Sequence, residues 1–200
     1  MEKEFIFALI STLLYLIGAV PYWIDLVKGK NIPHIFTYGL WFVLVSFNLY
    51  VLIKNQEWYA LIPAWVMFAS LIFWCVYGIL RFKKIQINWF DWLCGFLWVA
   101  LILYWFISKD VLNTTILTLI IDFIAFLPTF KKWWLAPWTE TIIVYFMSAV
   151  GQIATILSLS SFENIESMLF WWYLFFANLS FAILVFFRRY YLRGWKSIFE

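Results

Sequence analysis

The chain reads as an all-α membrane protein. Seven transmembrane helices are expected, built as two parallel three-helix repeats joined by a linker helix (3+1+3), with the N-terminus outside and the C-terminus cytoplasmic. Three observations predict this. First, 66% of the 200 residues are hydrophobic and only 12% are charged, whereas a soluble domain carries about a quarter charged residues. No soluble core hides that much apolar surface, so the bilayer must act as the solvent. Second, the basic residues fall almost entirely on one side of the apolar stretches. Third, two distant segments share a pattern of polar and aromatic positions.

In order, the apolar spans cover roughly residues 5–27, 35–53, 58–80, 89–107, 111–130, 138–159 and 168–187. Each is close to the ~20 residues a helix needs to cross the hydrocarbon core. Span 1 carries Pro21, and span 5 carries Asp122 near its middle with Pro128 beyond it. A proline there removes a backbone N–H and is expected to kink or break its helix. Pro33 and Pro137 stand in the first turns of spans 2 and 6, where proline costs little. Glu140 is expected in the first turn of span 6, as a helix-dipole partner or paired with Lys131 or Lys132 in a gate. The connections are short, so neighbouring helices run antiparallel. The organisation follows: 1–84 is the first three-helix repeat, 85–109 the linker helix, and 110–200 the second repeat with a basic cytoplasmic tail. The first span is expected to remain a membrane helix rather than a signal peptide. Glu2 and Glu4 dilute the basic leader, and Pro21 follows with no small-x-small cleavage site.

Lys and Arg set the orientation. With seven spans, one side holds Lys3, Lys54 and Lys109. The other holds Lys28, Lys30, Arg81, Lys83, Lys84, Lys131, Lys132, Arg188, Arg189, Arg193 and Lys196. The richer side is expected to be cytoplasmic, and removing one span would mix the two sets.

The repeat supplies candidate site residues. Pro33, Thr37, Trp41 and Asn48 stand four, four and seven apart, and Pro137, Thr141, Tyr145 and Gln152 repeat those spacings. Such positions share one helical face. An aromatic ring beside a carboxamide suits a polar solute with an apolar face. Trp41, Asn48, Tyr145 and Gln152 are therefore candidate substrate-binding residues, joined by Trp74 in span 3 and by Asn178, a lone amide in span 7. Asp122 is the sharpest signal. A carboxylate in a bilayer costs at least ~2.5 kcal/mol even on the most lenient scale, so it stays protonated, faces a wet cavity or finds a partner. Either a proton-coupling role or a structural bond to Asn48, Gln152 or Asn178 fits the residue.

The layout resembles that of the PQ-loop and SWEET superfamily, as a divergent prokaryotic member. Phe126-Leu127-Pro128-Thr129-Phe130-Lys131-Lys132 is similar to the family's second motif. Pro21-Tyr22-Trp23 followed by Lys28-Gly29-Lys30 is similar to the first. A Gln often follows each motif proline; here Tyr22 and Thr129 stand there. The resemblance implies alternating-access transport of a small solute (a sugar, amino acid, nucleoside or vitamin), with Pro21 and Pro128 as hinges. Asp122 resembles the acid preceding the second motif in proton-coupled members, which implies that it binds and releases a proton. Relatives of this type include a trafficking receptor, so a ligand-binding receptor or sorting protein, or a non-transporting structural membrane protein, stands as the alternative.

Other classes are argued against. There is a single histidine, His34, so no metal site and no cofactor are expected. Cys75 and Cys94 lie in apolar spans as inert thiols. The seventh span lacks a Lys for retinal. No phosphate loop, acid pair or Ser-His set is visible, so no enzyme is expected. The net charge of +3 is spread over short loops, which is no nucleic-acid footprint. The expected partners are a small-molecule solute and the lipid bilayer, with the chain a monomer or homo-oligomer in the cytoplasmic (inner) membrane.

Overall fold

The structure, a computed structural model, describes residues 2–30, 35–81, 89–135 and 137–193, without the side chains at 35, 36, 91, 125, 128, 129, 131–133 and 193. Seven α-helices follow one another: α1 (Glu2–Val27), α2 (Ile35–Lys54), α3 (Leu61–Arg81), α4 (Trp89–Ser108), α5 (Val111–Leu135), α6 (Ile142–Leu157) and α7 (Ile165–Arg193). A 3-10 turn, Pro137–Thr139, precedes α6, and there is no strand among the described residues. Four stretches are long and apolar enough to cross a bilayer: Glu2–Val27, Thr37–Lys54, Leu61–Arg81 and Ile165–Leu192. Trp92–Ser108, Val111–Ile124 and Ile142–Leu157 are apolar but shorter. This architecture is compatible with a helical membrane protein.

The burial pattern of α1 shows the same inversion of solvent. Its inward face is small or hydroxyl-bearing along most of its length: Ala8, Ser11, Tyr15, Gly18, Ala19 and Tyr22 are buried, with Leu26 at the end. Its outward face presents Ile6, Leu13, Ile17, Ile24 and Val27. Large apolar groups outside and small or hydroxyl groups at the helix contacts are what a lipid environment selects. On α4, Phe96, Val99, Leu103 and Ile107 are likewise exposed.

Three local features differ from the expectation. Neither proline ends its helix: α1 runs on past Pro21 to Val27, and α5 runs through position 128 to Leu135. Span 6 is split. Pro137–Thr139 forms its own turn, Thr141 is the extended N-cap residue, and the α-helix begins only at Ile142. Glu140 therefore precedes the cap instead of standing in the first helical turn. The end of α1 is set by Gly29 at φ +70°. Its N–H donates to the Leu26 carbonyl at 3.1 Å, and the Lys30 N–H donates to Asp25 at 2.9 Å, a Schellman cap that a residue with a Cβ adopts only under strain.

The helices pack in a definite order. α3 lies between α1 and α2, α7 lies between α5 and α6, and α1 makes its most extensive contact with α6. α4 rests on α5 and touches α2. The α1–α6 crossing is antiparallel and close. Ser11 Oγ donates to the Gly151 carbonyl at 2.9 Å and lies 2.6 Å from Thr155 Oγ1. Further along, a Cβ added to Gly18 would stand 2.9 Å from Met147 Cβ and 3.3 Å from Val144 Cα. At the far end Thr141 Oγ1 donates to Asp25 Oδ2 at 2.7 Å. Glycine is required at 18 and 151 because the two helices approach closer there than side chains allow.

Candidate functional site

A cavity of about 100 Å³ lies among α1, α2, α3, α5, α6 and α7. A polar cavity needs only roughly 10–15 Å³ of such space to hold a water, so this one is roomy enough for several waters or a small solute. Tyr38, Trp41 and Leu44 of α2 line it, as do Ser70 and Trp74 of α3. α5 contributes Asp122 and Phe126, α6 contributes Tyr145, Ser148 and Gln152, and α7 contributes Asn178. Tyr15, Ala19 and Tyr22 complete the wall from α1.

Asp122 is 2% exposed. Helical spacing places it below Thr114 and Thr118, both buried on the same face of α5. Those hydroxyls bond backward to the Asp110 and Thr114 carbonyls, so they are satisfied within the helix. Tyr173 of α7 donates to Asp122 Oδ2 at 2.6 Å, and the Trp41 side chain lies beside the same carboxyl. The other oxygen, Oδ1, is buried with no donor among the described residues.

The carboxamides behave differently from one another. Gln152 is fully buried on the cavity wall, with both amide atoms lacking a partner among the described residues. Asn178 Nδ2 is committed to the Leu174 carbonyl at 2.8 Å, which leaves its oxygen for the cavity. Asn48 is 1% exposed and its amide is also unpartnered, but it is not on this wall. Seven residues span about 10.5 Å of helix; the wall runs along α6 from Val144 to Gln152, but along α2 it runs from Tyr38 to Val45 and stops short of Asn48. Trp41, Trp74, Tyr145, Gln152, Asn178 and Asp122 are thus brought together, and Asn48 stands apart.

Several wall residues were not singled out from the sequence. Tyr22 and Tyr38 join their hydroxyls in a hydrogen bond. Trp74 packs on both, with ring centroids 4.7 Å and 5.7 Å away. Trp41 meets Tyr38 at 5.0 Å and Phe126 at 5.4 Å. In a chain that is 24% aromatic, no single Tyr announces itself. Tyr173 in particular is hidden within a run of aromatic residues.

Both ends of the helix cluster are tied by polar groups. At one end, beside the Asp25–Thr141 bond, Arg189 Nε donates to the Pro137 carbonyl at 3.0 Å and Nη2 donates to the Glu140 carbonyl. Glu140 is buried and accepts from Tyr145 Oη at 3.2 Å. The expected pairing of Glu140 with Lys131 or Lys132 falls on side chains outside the described residues. At the other end Glu57, fully buried, accepts from Ser160 N and Ser160 Oγ at 2.6 Å each and from Asn164 Nδ2 at 2.8 Å. Gln56 at φ +57° turns it inward. Asn55 Nδ2 reaches Ser167 Oγ at 3.0 Å alongside.

Of the expected hinges, Pro21 lies inside α1 next to Tyr22, while the side chain of Pro128 is outside the described residues, as are Pro33 and His34. Among the described residues no cluster of His, Cys, Asp or Glu has a metal-ligand arrangement, and Cys75 is a free thiol. Set against known protein families, characterised proteins and solved structures, the chain matches none.

Proposed function

We propose that the protein is a PQ-loop/SWEET-like transporter that carries a small polar or zwitterionic solute across the cytoplasmic membrane by alternating access, with its N-terminus outside. The observation that carries this reading is convergence. Six residues from five helices (Trp41, Trp74, Asp122, Tyr145, Gln152 and Asn178) share one cavity wall. They are the types that bind a polar solute with an apolar face. Unpartnered buried polar atoms are rare in proteins; here Gln152 and Asp122 Oδ1 stand where a solute would engage them.

The packing order supports two related three-helix units. The neighbour sets α1–α3–α2 and α5–α7–α6 correspond, and the cavity lies between them, where repeat-built transporters bind. In such a pair, α1–α6 and α2–α5 are equivalent seams, yet α1–α6 is far the more extensive. The interval from Pro33 to Pro137 brings Gly151 onto Phe47. That ring packs against Trp105 of α4, with centroids 6.2 Å apart, so the second seam lacks the close glycine contact of the first. The ties at the two ends then serve as the contacts that must break in turn, Asp25–Thr141 with Arg189 on the cytoplasmic side and Glu57–Ser160 on the outside.

Asp122 is the proton-coupling group in this reading. The titratable group facing it among the described residues is Tyr173, and no described Lys, Arg or His lines the cavity. Reconstitution in liposomes tests the proposal: a solute found by binding should exchange across the bilayer, with a rate that responds to pH in the native protein and not in Asp122→Asn. Exchange no faster than in empty liposomes would overturn transport; an unchanged pH response in the variant would overturn coupling.

A further inference from the structure

The charge of the wall narrows the solute further. Among the described residues, Asp122 is the only Asp, Glu, Lys, Arg or His side chain lining the cavity. One of its oxygens is taken by Tyr173 at 2.6 Å, the Trp41 side chain lies beside the carboxyl, and the residue lines the cavity. The nearest described cation near that end, Arg189, spends its guanidinium on the Pro137 and Glu140 carbonyls. Around Asp122 the wall is aromatic: Trp41, Trp74, Tyr22, Tyr38, Tyr145 and Phe126. The faces of such rings carry negative potential and attract cations, most strongly where water is excluded.

We propose that the cavity takes a small organic cation, with a positively charged nitrogen seated at the Asp122 carboxyl among the aromatic rings of the wall. This rests on the reading of the cavity as a solute site and goes further by fixing the sign of the solute's charge. When Asp122 is ionised, a neutral solute leaves a buried carboxylate without a countercharge, which is the costly arrangement, and a cation supplies one. A zwitterion brings a carboxylate for which the wall offers no positive partner. Asn178, with its amine committed to Leu174, presents an acceptor, suited to an N–H or hydroxyl of the same cation.

The test compares matched pairs. Binding to the full chain in detergent is measured by calorimetry for tetramethylammonium, choline and benzylammonium. Beside them run dimethylbutanol, the neutral carbon isostere of choline, then benzyl alcohol, glucose and alanine. At least one cation should bind on the order of tenfold more tightly than its neutral isostere, and that preference should vanish in Asp122→Asn. If that variant fails to fold, the isostere comparison on the native chain still decides, and Trp41→Leu should weaken the cation more than the isostere. Equal binding of a cation and its isostere, or binding of glucose or alanine without any cation, overturns the inference while leaving the solute site in place. Binding of none of these probes overturns the inference and the solute-site reading together.

Discussion

Asp122 accepts a hydrogen bond from Tyr173, has the Trp41 side chain beside its carboxyl, and lines a cavity walled by aromatic rings. Replacing it with Asn preserves shape and removes the charge. The variant is expected to fold with a melting temperature close to that of the native protein and to show the same solute exchange in mildly acidic and mildly alkaline buffer. Exchange in the native protein should differ between them. Tyr173→Phe removes the donor to Oδ2 and should shift that pH response without abolishing it, which flux measured across a pH series would reveal. The acid was legible in the sequence because a lone carboxylate in an apolar span is costly. Tyr173 was not, because a phenol among Trp172, Phe175 and Phe176 gives no signal until the fold sets it against α5. Asn48 shows the opposite limit: the spacing that matches Gln152 predicted its face, but not how far the cavity extends along α2.

At the scale of elements, the α1–α6 seam depends on two glycines. Gly18→Ala places a methyl 2.9 Å from Met147 Cβ and 3.3 Å from the Val144 backbone. It should cost about 1–3 kcal/mol through overpacking, measured by denaturation in detergent. Gly39→Ala is the control: nothing lies within 4 Å of the added atom, and better helix propensity should be neutral or add up to ~1 kcal/mol. Equal destabilisation by both would contradict the seam. Asp110 caps α5, accepting from the Asn113 N–H at 3.0 Å and from its side chain at 2.6 Å. These bonds hold its carboxyl below the usual range. A lowered value means the stabilisation is present above the unfolded-state value and is lost as pH falls through the folded one. The stability deficit of Asp110→Ala should therefore be full at neutral pH and shrink in strong acid. Helix positions were legible because apolar runs of bilayer length are conspicuous. The break at Glu140–Thr141 was not, because Pro137 and Thr141 both fit a helix start and only the packing of Arg189 on the Pro137 carbonyl distinguishes them.

At the scale of the whole molecule, the loops that close the end opposite Asp25 are joined by a fully buried carboxylate. Glu57→Ala leaves Ser160 and Asn164 without their acceptor and should lower stability by roughly 1.5–3 kcal/mol, read from denaturation curves. In the transport reading it should also speed exchange by loosening one closed end. The pairing of Glu57 with Ser160 joins residues far apart in sequence, which no local pattern reveals. The helix count and the apolar outer surface were visible in composition; which helices meet was hinted at only by the Thr-aromatic-amide repeat. The most direct test of a cavity that moves its solute is exchange in proteoliposomes, with labelled choline, glucose and alanine supplied together. The account predicts that at least one of them crosses faster than in protein-free liposomes and that Gln152→Leu slows it. A solute that binds the purified protein yet never exchanges would contradict transport and make the cavity that of a receptor.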